Sequence, residues 1–160
     1  MKFPVVSTEV DSIFYNSEKP AYCTGTGFFI SSNGYIITNF HVIDDSLGDL
    51  FVTTYNGKQH KALVIGYNPE NDFAILKIDG DNFTPVKFGS LKNMSIGEEV
   101  VCIGHPLGIY NYSITKGILS AMNRTVNLDE DIKINMFQVD CPLNEGNSGG
   151  PIFNMYGEVI

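Results

Sequence analysis

Thr26-Gly27-Phe28-Phe29-Ile30-Ser31-Ser32-Asn33-Gly34-Tyr35-Ile36-Ile37-Thr38 decides the fold class. Two short runs of aromatic and β-branched residues flank a Ser-Ser-Asn-Gly segment. Such side chains suit a pleated, half-buried surface and lose rotamer freedom in a helix. The Asn-Gly pair predicts a hairpin, because both central residues of a type I′ turn need φ > 0. Outward from it the same pattern repeats. Apolar runs at 50–55 and 62–67 surround Asn56-Gly57, and 73–78 ends at Asp79-Gly80. Further runs lie at 86–88, 99–103, 115–121, 137–139, 151–153 and 158–160. Short strands with frequent turn signals predict an all-β sandwich or barrel rather than a parallel α/β sheet. Residues 1–20 stay open: Val6, Val10, Ile13 and Phe14 fit a short helix, while residues 12–15 fit a first strand.

The chain has 160 residues, 43% of them apolar and 18% charged, enough for one sizeable core and an ordinary globular balance. Ten basic against eighteen acidic residues give a net charge of −8, which argues against a nucleic-acid or anionic-membrane partner. No apolar run approaches the ~20 residues that a membrane-spanning helix needs. The amino end shows no signal-peptide pattern and so favours the cytoplasm; a removed leader would place the protein outside it. Cys23, Cys102 and Cys141 form no Cys-x-x-Cys pair, so no metal site is expected, and Cys102 reads as a small buried hydrophobe. Four Asn-x-Ser/Thr sequons, at Asn82, Asn93, Asn111 and Asn123, read as chance in an asparagine-rich chain.

Chemistry concentrates in Asn144-Glu145-Gly146-Asn147-Ser148-Gly149-Gly150-Pro151. Glycines allow a tight backbone with φ > 0 and uncovered N–H groups. Such a loop can aim the Gly146 and Ser148 N–H groups at one point beside the Ser148 hydroxyl. That pairing of nucleophile and oxyanion donors suits acyl transfer. A plain glycine-rich turn has the same composition, so the rest of the chain must decide. His41 stands where the apolar run 35–40 gives way to a loop, a placement that suits a general base. His60 lies in a polar stretch and His105 in a Gly-His-Pro turn, and neither is placed like a base. Asp72 precedes the apolar run 73–76 and could orient an imidazole; Asp44, Asp45 and Asp140 qualify by residue type alone.

Four segments together resemble the trypsin-like serine peptidases of the HtrA (Deg) type. They are Gly25-Thr26-Gly27-Phe28-Phe29-Ile30, Gly34-Tyr35-Ile36-Ile37-Thr38-Asn39-Phe40-His41-Val42, Asn71-Asp72-Phe73-Ala74-Ile75-Leu76-Lys77-Ile78 and Gly146-Asn147-Ser148-Gly149-Gly150-Pro151. Gly104-His105-Pro106-Leu107-Gly108 and Lys116-Gly117-Ile118-Leu119-Ser120 add to the likeness. The resemblance implies two perpendicular six-stranded antiparallel barrels of the chymotrypsin/trypsin kind, with the site between them. It divides the chain into an amino-terminal segment 1–20, a first barrel 21–85 and a second barrel 86–160 that stops before its last strands. It implies His41 as base, Asp72 as orienting acid, Ser148 as nucleophile, and the loop of Gly146, Asn147 and Ser148 as oxyanion hole.

The implied activity is serine endopeptidase, acting on polypeptides through an acyl-enzyme with no metal or organic cofactor. Pro142 and Leu143 occupy the pocket-side segment, which lacks the acid found in enzymes that cut after Lys or Arg, so small or medium apolar residues are expected before the cut. Asn147 replaces the aspartate with which digestive relatives trap a newly cut N-terminus, so activation by such cleavage is not implied. An open second barrel would leave the chain poorly active alone and prone to self-association or homo-oligomer formation. The competing reading is a catalytically silent module that binds peptides or unfolded proteins on the same scaffold.

Overall fold

The computed structural model describes residues 5–11, 22–43, 50–105, 112–127 and 133–160. Six strands, β1 (Val5–Asp11), β2 (Tyr22–Phe29), β3 (Tyr35–Thr38), β4 (Leu50–Thr53), β5 (Gln59–Asn68) and β6 (Phe73–Ile78), close into a barrel in the order β1-β2-β3-β6-β5-β4. Another six, β7 (Lys87–Phe88), β8 (Glu99–Gly104), β9 (Ser113–Asn127), β10 (Lys133–Val139), β11 (Ile152–Asn154) and β12 (Glu158–Val159), form a sheet in the order β10-β9-β8-β11-β12-β7. Among the described residues this second sheet does not close. The all-β, two-barrel expectation holds, with the second barrel partial.

Alternation explains the first barrel. Ile36 and Thr38 of β3, Leu50 and Val52 of β4, and Ala74, Leu76 and Ile78 of β6 all point inward and are buried. All of these but Thr38 join Phe29 and Ala62 in one apolar core. A second cluster (Met94, Val100, Cys102, Leu119 and Cys141) fills the inner face of the other sheet. Phe28, Phe153 and Val159 join the two, with Ile37 and Ile103 packed against them.

The structure corrects the sequence reading in several places. Val5–Asp11 is a strand, where the sequence left a helix open, and it pairs with both β2 and β4 to close the barrel. The part of the alternative first strand at 12–15 lies outside the described residues, as does Cys23's side chain. The two Asn-Gly hairpins form, but neither turn is type I′. Gly34 (φ 96) and Gly57 (φ 78) have positive φ, while Asn33 and Asn56 do not. The bond from Ile30 N–H to Tyr35 O (2.9 Å) encloses four residues, and that from Thr54 N–H to Lys58 O (2.9 Å) encloses three. Loops of these lengths need only a final left-handed residue, which glycine supplies. The pairing is also not wholly antiparallel: β12 runs parallel to β7. A chain segment this long between two strands leaves their direction free of the hairpin constraint. Lastly, β9 runs on to Asn127, well past 121, because its outer part pairs with β10 as a polar, exposed ribbon.

Candidate active site

β3 and β6 are antiparallel neighbours whose registered pairs run from Tyr35↔Lys77 to Thr38↔Ala74. The residues following β3 and those preceding β6 therefore lie at the same end of the barrel. That topology brings His41 and Asp72 together although 31 positions separate them. Asp72 uses both carboxylate oxygens: Oδ1 accepts the His41 backbone N–H (2.9 Å), and Oδ2 stands 2.7 Å from His41 Nδ1. A carboxylate accepts and does not donate, so Nδ1 carries a proton, and in the neutral ring Nε2 is then the nitrogen with the free lone pair. Asp72 reaches this position with φ of 50, in the left-handed region. The pair is open to solvent, with side-chain exposures of 56% for His41 and 37% for Asp72.

The Ser148 loop comes from the second sheet but is tied to the first barrel. Thr26 of β2, fully buried, is the main tie. Its N–H donates to Ser148 O (2.7 Å) and its hydroxyl donates to Gly146 O (2.6 Å). The same hydroxyl accepts the His105 N–H (2.9 Å), and Thr38 Oγ1 donates to Thr26 O (2.6 Å). Asn39 adds a second tie, accepting the Gly149 N–H on Oδ1 at 2.6 Å. Gly149 has φ of 82, and a Cβ there would overlap Thr26 O and Thr38 Oγ1, so only glycine fits. Among the described residues, neither the Gly146 N–H nor the Ser148 N–H has a hydrogen-bond partner. Two free donors therefore flank the nucleophile candidate. Nor does any hydrogen bond join Ser148 Oγ to His41 among the described residues.

Asn147 turns its side chain inward, and its Oδ1 is buried without a partner against Gly104. Leu143 lines a cavity of about 520 Å³ together with Ser148, Met136, Cys102, Ile152 and Glu145; Pro142 is exposed and is not part of that wall. The carboxylate of Glu145 lies on an exposed residue. His105 is buried and edge-on to the Tyr112 ring. His60 is half-buried against Phe83, with its pKa lowered by burial and then by Lys58. Cys102 and Cys141 are free and buried in one cluster; burial, reinforced by the Cys141 thiol, pushes the Cys102 thiol up to about 12. Asp140 accepts the Ile118 N–H (2.6 Å), and the carboxylate bonded to His41 is that of Asp72. Asp44 and Asp45 lie outside the described residues. Sequence reasoning gave Thr26 and Asn39 no role, although both stood inside the quoted segments.

This two-part scaffold and its loop belong to a recognised class. The trypsin-like peptidase domain family matches residues 25–160, and the chain belongs to that family. Within it the likeness is to the HtrA type. A Pseudomonas putida protein described as "Probable periplasmic serine endoprotease DegP-like" is 43% identical over 143 residues, which is 89% of this chain and 29% of that protein. A Halomonas elongata protein of the same description is 42% identical over 136 residues, 85% of this chain and 28% of that one. The chain thus spans about 29% of the length of such relatives. Among solved structures, the HtrA-type protease AlgW with tripeptide superposes with a TM-score of 0.86 at 29% identity, covering 98% of this chain and 49% of that one. The serine endoprotease from Yersinia pestis gives 0.80 at 34% identity, covering 99% and 52%.

Proposed function

We propose that this chain carries the catalytic unit of a serine endopeptidase. The observation that carries the reading is the His41–Asp72 pair at the barrel end where Thr26 and Asn39 tie down the Ser148 loop. In the proposed cycle, Ser148 Oγ attacks the peptide carbonyl carbon while His41 Nε2 takes the hydroxyl proton. Asp72 holds the ring and stabilises its cation. The carbonyl oxygen becomes an oxyanion and is received by the Gly146 and Ser148 N–H groups. Collapse breaks the C–N bond, and His41 returns its proton to the leaving amine. Water, activated by the same imidazole, then releases the acyl group. The Ser148–His41 contact, open here, closes with substrate, since catalytic hydrogen bonds often tighten only in the Michaelis complex.

The finer reading is cleavage after small or medium apolar residues. It rests on Leu143, Met136 and Ile152 in the cavity beside Ser148. The one carboxylate on that lining among the described residues, Glu145, sits on an exposed residue. A Lys or Arg buried against the apolar wall without it would cost several kcal/mol. A peptide-library profile dominated by Arg or Lys would refute it. The periplasmic relatives favour an extracytoplasmic setting over the cytoplasmic one suggested by the amino end. Nothing observed favours the silent binding module.

The central test is labelling of the full-length protein with a fluorophosphonate. Label on Ser148, lost in Ser148→Ala and largely lost in His41→Ala, is the expected result. Equal labelling of wild type and His41→Ala would remove the triad assignment.

A further inference from the structure

We propose that Asn39 is a positioning residue that couples the Asp72 end of the site to the backbone of the nucleophile, an inference that rests on the endopeptidase reading above. Asn39 follows β3 directly and precedes His41 by two positions, so the barrel fixes its backbone. Its side-chain amide is engaged at both ends. Nδ2 donates to Asp72 O at 2.7 Å, and Oδ1 accepts the Gly149 N–H at 2.6 Å. Only this orientation of the amide works, because a flip would face donor with donor and acceptor with acceptor.

The peptide unit joining Ser148 to Gly149 is consequently held at both of its polar groups. Its C=O accepts the Thr26 N–H (2.7 Å) and its N–H donates to Asn39. Rotating the nucleophile's backbone breaks both bonds at once. At the other end, the Asn39 amide fixes the carbonyl of Asp72, a non-glycine residue at φ 50, and that carboxylate sets the His41 ring. One planar group thus relates the ring orientation to the nucleophile position. The partners lie 33 and 110 positions away in sequence, one in each half of the molecule. A carboxylate would keep the acceptor and lose the donor, and alanine would lose both.

The role separates from plain fold stabilisation by where the loss shows. A bond that only stabilises the fold changes the melting temperature; one that aligns reacting groups changes kcat. In the full-length protein, Asn39→Ala is expected to lower kcat for a peptide substrate, and the rate of Ser148 phosphonylation, by about 10- to 100-fold, since small misplacements cost rates of this order. KM stays within about threefold. Asn39→Asp keeps the acceptor for the Gly149 N–H and falls between wild type and alanine. Wild-type kcat in Asn39→Ala, or a change in KM alone, overturns the proposal. If Asn39→Ala does not fold, wild-type kcat in Asn39→Asp overturns it, because the Asp72 link is then dispensable. A labelled wild type with indifferent variants defeats Asn39 alone; an unlabelled wild type removes the endopeptidase reading and this role with it.

Discussion

At the residue scale, Asp72 is committed on both oxygens, and the two bonds do different things. Oδ1 holds the His41 backbone, while Oδ2 selects the ring tautomer. Asp72→Asn separates them. The amide oxygen can keep the backbone bond, but the amide nitrogen then faces Nδ1, which must present its lone pair. The proton moves to Nε2, where, in the proposed cycle, it would block acceptance of the Ser148 proton. A loss of the order of 10⁴ in kcat is expected, with little change in melting temperature. Acylation rates of the purified variant check this, and a fall of less than tenfold would show that the tautomer is not set by Asp72. His41, Asp72 and Ser148 were legible as candidates because each sits beside a local pattern: an apolar run that ends, an apolar run that begins, and a glycine cluster. Thr26 and Asn39 were not. Their partners lie 120 and 110 positions away, and no local pattern records a hydrogen bond across that distance.

At the element scale, the end of β8 is shaped by the Ser148 loop. A Cβ on Gly104 would overlap the Asn147 side chain, whose Oδ1 is already buried and unpartnered. Gly104→Ala must push Asn147, and with it the peptide leading to Ser148. The expected result is a drop of ten- to a hundredfold in Ser148 phosphonylation, larger than that of Gly57→Ala at an exposed hairpin, where a Cβ meets nothing. Equal rates in the two variants would show that the loop tolerates the shift.

On the same strand, the Cys102 thiol is held protonated by burial, with its pKa at about 12. The thiolate is the reactive form, so Cys102 should resist iodoacetamide at pH 8 in the folded protein and react after unfolding in urea. The sign for stability follows. The folded pKa lies above the ordinary value of 9.0, so the contribution is intact below pH 9 and declines as pH rises towards 12. Element identity was legible from β2 onward, where apolar alternation gives period-two burial. It was not legible in β1 (Val5–Asp11), whose Val6 and Val10 also fit a helical spacing and whose strand state comes from pairing with both β2 and β4. Turn type was not legible either. The distance between closing pairs, Ile30 with Tyr35 and Thr54 with Lys58, is set by barrel register, which an Asn-Gly dipeptide does not encode. The same holds in β5, where a register shift between Val64 and Gly66 breaks the alternation and leaves Leu63, Val64 and Ile65 all exposed.

At the scale of the whole molecule, the proposed function depends on two halves keeping one relation. The proposed base and acid, His41 and Asp72, come from the barrel and the proposed nucleophile, Ser148, from the other sheet. Hydrogen bonds through Thr26 and Asn39 set the fine alignment, and the apolar contact of Phe28 with Phe153 and Val159 sets the coarse one. Phe153 lies on β11, five positions after Ser148, and β11 is hydrogen-bonded to β8 along Ile152–Asn154. Phe153→Ala removes a buried ring and should cost about 3–5 kcal/mol, a large share of the ~5–15 kcal/mol that holds a typical protein together. Val52→Ala, fully buried on β4 inside the first barrel, provides the contrast. Both variants should lower the denaturant midpoint. Only Phe153→Ala should also slow Ser148 phosphonylation when rates are compared at equal fraction folded, because only there does the lost packing lie between the halves that carry the reacting groups. Identical labelling rates for the two variants, after that correction, would mean that the hydrogen bonds alone hold the halves in register.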